Sequence, residues 1–245
     1  MNRLPTKEDA AELIARVRAR RPRVHCLMNT VVQKFTADGI SAIGAIPSMT
    51  SSMEEIADFI AKADALTINL GTLDAERRKV IRLAVDVATA GGKPWILDPV
   101  HCDYSPTRLA FARELITLGP TVVRGNRAEM ELIGETGASL RIMTGAVDHL
   151  SDAGRSVKVE NGHAFMAVVT GTGCLSGGVI AAFLAVEKDA LKAATAALCT
   201  TGVSAELAAV HARGPGSFEP AFLDALAALG PDDLNSHARI NHETT

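Results

Sequence analysis

The 245-residue chain carries 25 Lys and Arg against 28 Asp and Glu, a formal net charge of -3 at pH 7, and is 47% apolar and 22% charged. This is the composition of a folded globular protein, not a disordered or fibrous one, and the length is enough for one large α/β domain with a sizeable core. The balanced charge, with no block of like charges, and only seven Phe, one Trp and one Tyr speak against nucleic acid or a membrane surface as partner.

In chain order, short apolar runs rich in β-branched residues alternate with longer amphipathic ones, the pattern of a parallel sheet between helices. The amino terminus lacks the apolar stretch of roughly 7–15 residues that a secretory signal needs, which predicts a cytoplasmic protein. A helix over 6–20, marked by Leu13, Ile14 and Val17, leads into a strand over 24–29. A helical stretch over 31–43, a short run over 46–49, and a helix announced by the capping box Ser52-Met53-Glu54-Glu55 follow. Strands over 65–70, 94–98, 121–124 and 140–144 alternate with helices starting at Leu73, Thr107 and Asn126. Residues 155–160, the turn Asn161-Gly162 and residues 163–169 read as an edge hairpin.

The stretch 161–186 has no charged residue and is long enough for a membrane span, but its Asn-Gly turn signal and five glycines predict a strand, a turn and a buried helix. From Cys174 to Val210 the chain reads as two buried Ala-rich helices broken near Asp189. A Gly214-Pro215-Gly216-Ser217 loop, a last short helix and a polar tail over 231–245 close it. With no linker and no internal repeat, the expectation is one domain over 1–245.

The turn Thr170-Gly171-Thr172-Gly173-Cys174 leaves a predicted strand and enters a small-residue helix. It presents several N–H groups at a helix N-terminus, where the dipole favours an anion such as phosphate. It has neither the Rossmann spacing nor a P-loop Lys, so a tight turn with glycines for close helix packing is the alternative. Cys174 stands at the first turn of that helix, where the dipole lowers a thiol pKa and makes the thiolate more available. The alternative for it is a small buried hydrophobe, the reading given to Cys26, Cys102 and Cys199. Without CxxC spacing, neither a disulfide framework nor a zinc site is expected.

Asp98 ends an apolar strand before Pro99, and in a parallel sheet the carboxyl ends of strands face the ligand crevice. Arg124 and Asn126 stand at the end of the next strand, with Glu129 a turn further on. One reading groups Asp98 and Glu129 around a hard cation, with Arg124 on phosphate oxygens. The other makes Asn126 and Glu129 a reciprocal helix cap and Asp98 a turn cap. His25 and His211 have no visible carboxylate partner and read as structural. Met49, after Pro47-Ser48, lines an apolar pocket or packs in the core.

Taken together and in this order, a set of motifs resembles one family, hydroxyethylthiazole kinase, a ribokinase-like enzyme of thiamin salvage. They are Val24-His25-Cys26 with Asn29, Val31-Val32-Gln33 and Phe35-Thr36-Ala37; Gly44-Ala45 with Pro47 and Met49; Asn69-Leu70-Gly71-Thr72-Leu73; and Leu97-Asp98-Pro99-Val100. Arg124-Gly125-Asn126 with Glu129, Thr144-Gly145, Asn161-Gly162-His163, the run from Val169 to Cys174, and Gly214-Pro215-Gly216-Ser217-Phe218 complete it.

The resemblance implies a three-layer α/β/α fold with a mainly parallel sheet and an edge hairpin. It implies transfer of the ATP γ-phosphoryl group to the hydroxyl of 4-methyl-5-(2-hydroxyethyl)thiazole with Mg2+, in a homotrimer whose active sites lie between subunits. Carried over by motif, Met49, Gly171 and Asn29 would meet the thiazole, and Arg124, Thr144 and Asn126 the ATP. Asp98 and Glu129 would serve the metal and phosphates. Cys174 takes the place where other ribokinase-like enzymes keep a catalytic Asp, with the N–H groups of Gly171 and Gly173 beside it to meet developing charge. Phosphoryl transfer through a loose transition state needs mainly alignment and charge neutralisation, so a thiol can suffice.

Two departures from the family pattern carry expectations of their own. Where the family continues with a small Gly-rich turn, this chain has His101-Cys102-Asp103-Tyr104, which narrows the phosphate region or adds a metal ligand. Between Glu129 and Thr144 it is shorter by roughly two dozen residues, about one crossover helix, and an uncovered patch of sheet would expose apolar surface. Two rivals follow: a pyrimidine kinase or a dehydratase of damaged nicotinamide cofactors, disfavoured by Cys174 and by Asn29 with Gln33; and a thiazole- or nucleotide-binding homologue with impaired catalysis.

Overall fold

The computed structural model describes residues 3–137 and 139–242. The first half of the chain runs α1 (Lys7–Arg20), β1 (Arg23–Leu27), α2 (Gln33–Ala42), β2 (Ile46–Ser48), α3 (Ile56–Lys62), β3 (Ala65–Asn69), α4 (Ala75–Ala90), β4 (Trp95–Asp98), α5 (Pro106–Ile116) and β5 (Val122–Asn126). It continues with α6 (Arg127–Ile133), β6 (Leu140–Thr144), β7 (Asp148–Asp152), β8 (Arg155–Val159), a 3-10 turn (Ala164–Ala167), α7 (Thr172–Leu184), α8 (Ala190–His211), α9 (Pro215–Ala228), α10 (Pro231–His237) and β9 (Ile240–His242).

The strands form one nine-stranded sheet in the order β2-β1-β3-β4-β5-β6-β7-β8-β9. Neighbours are parallel as far as β6 and antiparallel from β6 to β9. Side chains on a strand alternate between its two faces, and the buried ones divide accordingly. Val24, Cys26, Ile96 and Val122 join the core built by Leu13 of α1, Ile40 of α2, Val179 of α7, Leu198 of α8 and Phe218 of α9. Leu66, Ile68, Leu97 and Val123 join the core of Ile56, Val80, Phe111 and Met130 from α3 to α6. The result is the expected three-layer α/β/α architecture. The helix α8 is long and apolar enough to cross a membrane, and it is mostly buried as the central helix of one layer.

Helix starts follow local chemistry closely. Thr6 and Asp9 close a capping box on α1, Asp74 caps α4, and Ser105 with Pro106 opens α5. Several expectations need correction. The Ser52 box does not form: its hydroxyl accepts from the Glu54 N–H two residues on, a local turn that competes with helix, and α3 starts only at Ile56. The hairpin is β7 with β8, turning at Gly154 with φ 106, and not residues 155–169; β9, paired outside β8, forms the edge. Asn161-Gly162 docks on α8 instead of turning a hairpin: Asn161 Nδ2 and the Gly162 N–H both donate to Glu206. Residues 164–167 then form the 3-10 turn, so the glycine turn is not entered from a strand.

The remaining corrections are at the C-terminus. Pro215 sits at the first position of α9, so the Gly214-to-Ser217 segment opens a helix. The polar tail holds α10 and β9, which pairs with β8; its residues 243–245 lie outside the described ones.

The shortened crossover closes the sheet with α6 as its helix. Strands β5 and β6 pair from Val122↔Leu140 to Asn126↔Thr144. Met130 and Ile133 of α6 pack into the core, and Arg113 and Arg141 donate to its last carbonyls at Leu132 and Met130. Among the described residues, none of the exposed large apolar side chains lies on β5 or β6, so the expected bare patch is not found.

Gly202 in α8 shows how tightly this layer seats the loop beside the crevice. A Cβ there would stand 2.6 Å from the Asn161 backbone oxygen. Gly202→Ala should therefore lower stability by about 1–3 kcal/mol through overpacking, measured by thermal unfolding; an unchanged midpoint would contradict the packing.

Candidate active site

The carboxyl ends of β3, β4, β5 and β6 and the N-terminus of α7 enclose one polar cluster. Arg124 Nη1 donates to Asp98 Oδ2 at 2.8 Å, and both residues are buried, at 5% and 3% exposure. Asn69, in register with Asp98, donates to the same oxygen at 2.9 Å, while the Val100 N–H donates to Asp98 Oδ1. Arg124 Nη2 donates to Thr144 Oγ1 at 3.3 Å, and Arg124 Nε is buried with no partner. Burial works against the Arg124 charge, but Asp98 foremost, then Cys174, Glu129 and Asp148, outweigh it and hold the group above its ordinary value.

Cys174 lies over this cluster, half-buried, with Sγ accepting from Asn69 Nδ2 at 3.3 Å and Asn29 Nδ2 at 3.7 Å. The expected activation of the thiol is not found. Burial, followed by the Asp98 charge, pushes it up to about 12, and the opposing Arg124 and amide contacts do not compensate. Desolvation beside a carboxylate favours the neutral thiol over the thiolate. The glycine turn has a steric reason as well: Gly171 has φ 101, and a Cβ there would stand 2.9 Å from Val32 Cγ1 and 3.1 Å from Phe35 Cδ1. Gly173 is exposed, and a Cβ on it would lie 3.6 Å from Arg124 Nη2.

Beside the cluster opens a crevice of about 610 Å3, lined among others by Arg124, Asn126, Thr144, Asp148, Gly173 and Thr201. Asp148 is a feature that sequence reasoning missed. Burial pushes its carboxyl up to about 6, against the lowering effect of the Gly145 N–H and Arg124. Asn69 was also missed as a site residue; its signal was its place beside Asp98 at the end of the neighbouring strand. The structure thus gathers Asn29, Asp98, Arg124, Thr144 and Cys174, with Gly173 and Asn126 on the crevice wall. Met49 directly follows β2 and is half-buried, packed against the core. His25 is buried between Ser48 Oγ at 2.8 Å and the Thr50 carbonyl at 3.0 Å, with its pKa lowered by burial, and His211 is exposed at the end of α8.

Glu129 satisfies the capping reading: Oε2 accepts from the Asn126 N–H at 2.8 Å and Asn126 Oδ1 accepts from the Glu129 N–H at 3.0 Å. Its Oε1 accepts from the His101 N–H at 2.6 Å. Each carboxylate oxygen has a further lone pair, and ligand atoms of His101, Asp103 and Glu129 all lie within 4.8 Å of one another. That donor set suits a divalent cation.

The charges around Cys174 make a signed prediction. Removing the Asp98 anion in Asp98→Asn lowers the thiol pKa, so alkylation of Cys174 at a fixed pH below about 12 should accelerate, whereas Arg124→Ala should slow it. Peptide-resolved mass spectrometry reads both rates, and no change in Asp98→Asn would contradict the assigned electrostatics.

Comparison with known proteins supplies the context of this site. The chain matches the hydroxyethylthiazole kinase family over residues 14–141 and 136–232, the two segments meeting where the crossover is short. It is 70% identical over 239 residues to a probable hydroxyethylthiazole kinase of Agrobacterium fabrum, covering 98% of this chain and 97% of that one. The structure of the hydroxyethylthiazole kinase protein from Pyrococcus horikoshii superposes with a TM-score of 0.93 at 35% identity, over 96% of this chain and 99% of that one. A ribokinase-like superfamily protein of Enterococcus faecalis shares the fold, with a TM-score of 0.66 at 14% identity over 94% of this chain and 96% of that one. With the family matched over most of its length, this chain belongs to the hydroxyethylthiazole kinase family.

Proposed function

We propose that this chain is a cytoplasmic kinase that transfers the γ-phosphoryl group of ATP to the hydroxyl of 4-methyl-5-(2-hydroxyethyl)thiazole. The observation that carries the reading is the buried Arg124, held by Asp98 and with Nε unpartnered, which lines a crevice of about 610 Å3 together with the N-terminus of α7. An orphaned cationic donor and a helix N-terminus on one cavity form a site for polyanions. The named relative at 70% identity supplies the acceptor.

In this mechanism Arg124 and Thr144 hold the phosphates and Asn126 borders the nucleotide. The N–H groups around Gly171 and Gly173 meet charge developing on the transferred group. Asn29 and Cys174 stand at the acceptor end with Met49 and Gly171 as the thiazole contacts carried over from the family. Since the thiol stays protonated, it orients the hydroxyl and is not a strong base, which a loose transition state tolerates. Glu129 and Asp103 would hold Mg2+ through carboxylate oxygens, with Asp98 serving the phosphate side through Arg124. The ion, when bound, neutralises phosphate charge.

The exposed Val31 and Val168 flank the acceptor end, one beside Asn29 and the other before the glycine turn. The homotrimer with shared sites is carried over from the family resemblance, and a solution mass of one chain would contradict it.

Purified protein with Mg-ATP and the thiazole alcohol should yield the phosphorylated product by mass. Cys174→Ser should lower kcat more than it raises KM, and Arg124→Ala should weaken ATP use, on the order of 10- to 1,000-fold for loss of a preorganised charge contact. A folded protein that binds both ligands and makes no product would sink the proposal in favour of a binding homologue.

A further inference from the structure

Asn69 is the last residue of β3 and is fully buried. A carboxamide offers two donor hydrogens and an oxygen with two lone pairs, and here each is used. Oδ1 accepts from Asn29 Nδ2 at 3.1 Å and from the Gly71 N–H at 3.0 Å. Nδ2 donates to Asp98 Oδ2 at 2.9 Å and to Cys174 Sγ at 3.3 Å. These partners fix the amide orientation, because the reverse would set its oxygen against a carboxylate and its NH2 against the Gly71 N–H. Gly71 is required for the approach: a Cβ there would stand 2.6 Å from Asn29 Cβ and 2.9 Å from Asn69 Oδ1.

The sulfur therefore accepts N–H groups from two amides, Asn69 and Asn29, and its own S–H is left for another acceptor. The oxygen that Asn69 shares with Arg124 belongs to the carboxylate that orients the guanidinium. We propose that Asn69 is a positioning residue for phosphoryl transfer: one amide sets Cys174 toward the acceptor hydroxyl and Asp98 toward Arg124. The acceptor and phosphate halves of the site are thereby held in one geometry. The inference rests on the kinase reading of this site and adds to it a residue that touches neither substrate. Alignment supplies most of the catalysis in a loose transfer, so a displaced acceptor costs rate more than affinity.

The test uses the full chain with Asn69→Ala and Asn69→Asp. Asn69→Ala should lower kcat on the order of 100-fold, the cost of a displacement of about 1 Å, with KM for ATP and the thiazole alcohol nearly unchanged. In a Cys174→Ala background the same substitution should cost less, since the two residues act as a unit. Asn69→Asp places two carboxyl groups side by side that share a proton. Its protonated form keeps a donor to Asp98, so its kcat should rise toward acid pH and fall as the proton is lost, a dependence absent from Asn69→Ala. Additive losses with Cys174→Ala, or a pH-independent kcat in Asn69→Asp, would overturn the proposal. Should Asn69→Ala fail to fold by circular dichroism, Asn69→Ser takes its place in the cycle.

If the parent makes no phosphorylated product, it is the kinase reading that has failed. The Asn69 assignment is then read from the rate of Cys174 alkylation at a fixed, mildly alkaline pH. Loss of an N–H donor to the sulfur should slow it in Asn69→Ala, and an unchanged rate overturns the assignment.

Discussion

The buried pair of Arg124 and Asp98, 2.8 Å apart at the end of adjacent strands, is the contact on which the rest of the site depends. Taking two charges out of water is costly, and such a pair persists only where further hydrogen bonds satisfy the remaining atoms. Here Asn69 and the Val100 N–H complete Asp98, and Thr144 supports Arg124 from β6. The sheet register makes this possible, since Asn69 pairs with Asp98 and Asn126 with Thr144 at the same edge of the sheet. The small residues of α7 bring that helix close to the pair. Cβ atoms at Gly173 and Gly177 would be in van der Waals contact with the Arg124 side chain, at 3.6 and 3.7 Å, so the start of α7 packs directly against it.

From that pair follow both the electrostatics and the chemistry. Asp98 holds the guanidinium in place and also raises the neighbouring Cys174 thiol, which desolvation already disfavours as an anion. The same carboxylate therefore prepares a cation for phosphate and keeps the sulfur protonated at the acceptor end. Nothing in this arrangement supplies a strong base, and phosphoryl transfer does not require one. What it supplies is rigidity: strand ends, a helix N-terminus and an amide with every hydrogen-bonding capacity used.

The parts of this account that the sequence made legible are those set by local rules. The strand end at Asp98, the Asn126 and Glu129 cap after β5, and the glycine turn before a small-residue helix all follow from spacing and propensity. The misreadings occur where tertiary contacts override local signals. Asn161-Gly162 is a strong hairpin signal, but Glu206 and the carbonyl of His237 capture Asn161 and turn the chain onto α8. The position of Cys174 at a helix start pointed to a lowered pKa, and only the depth of burial beside Asp98 reverses it. Asn69 could be read as a strand end but not as a junction, because its partners lie 29, 40 and 105 residues away. The short crossover shows the opposite case: α6 alone, seated by Met130 and Ile133 and bonded by Arg113 and Arg141, suffices to cover β5 and β6.

The central claim is that one rigid polar cluster receives phosphate on the Arg124 side and the acceptor hydroxyl on the Cys174 side. A crystal structure of the protein with a non-hydrolysable ATP analogue and the thiazole alcohol tests it most directly. The account predicts the terminal phosphate between Arg124 and the N–H groups of the α7 start, with the hydroxyl oxygen in contact with Cys174 Sγ. A nucleotide bound elsewhere, such as in the crevice of about 430 Å3 beside β2 and α3, with Arg124 and Cys174 untouched, would contradict it.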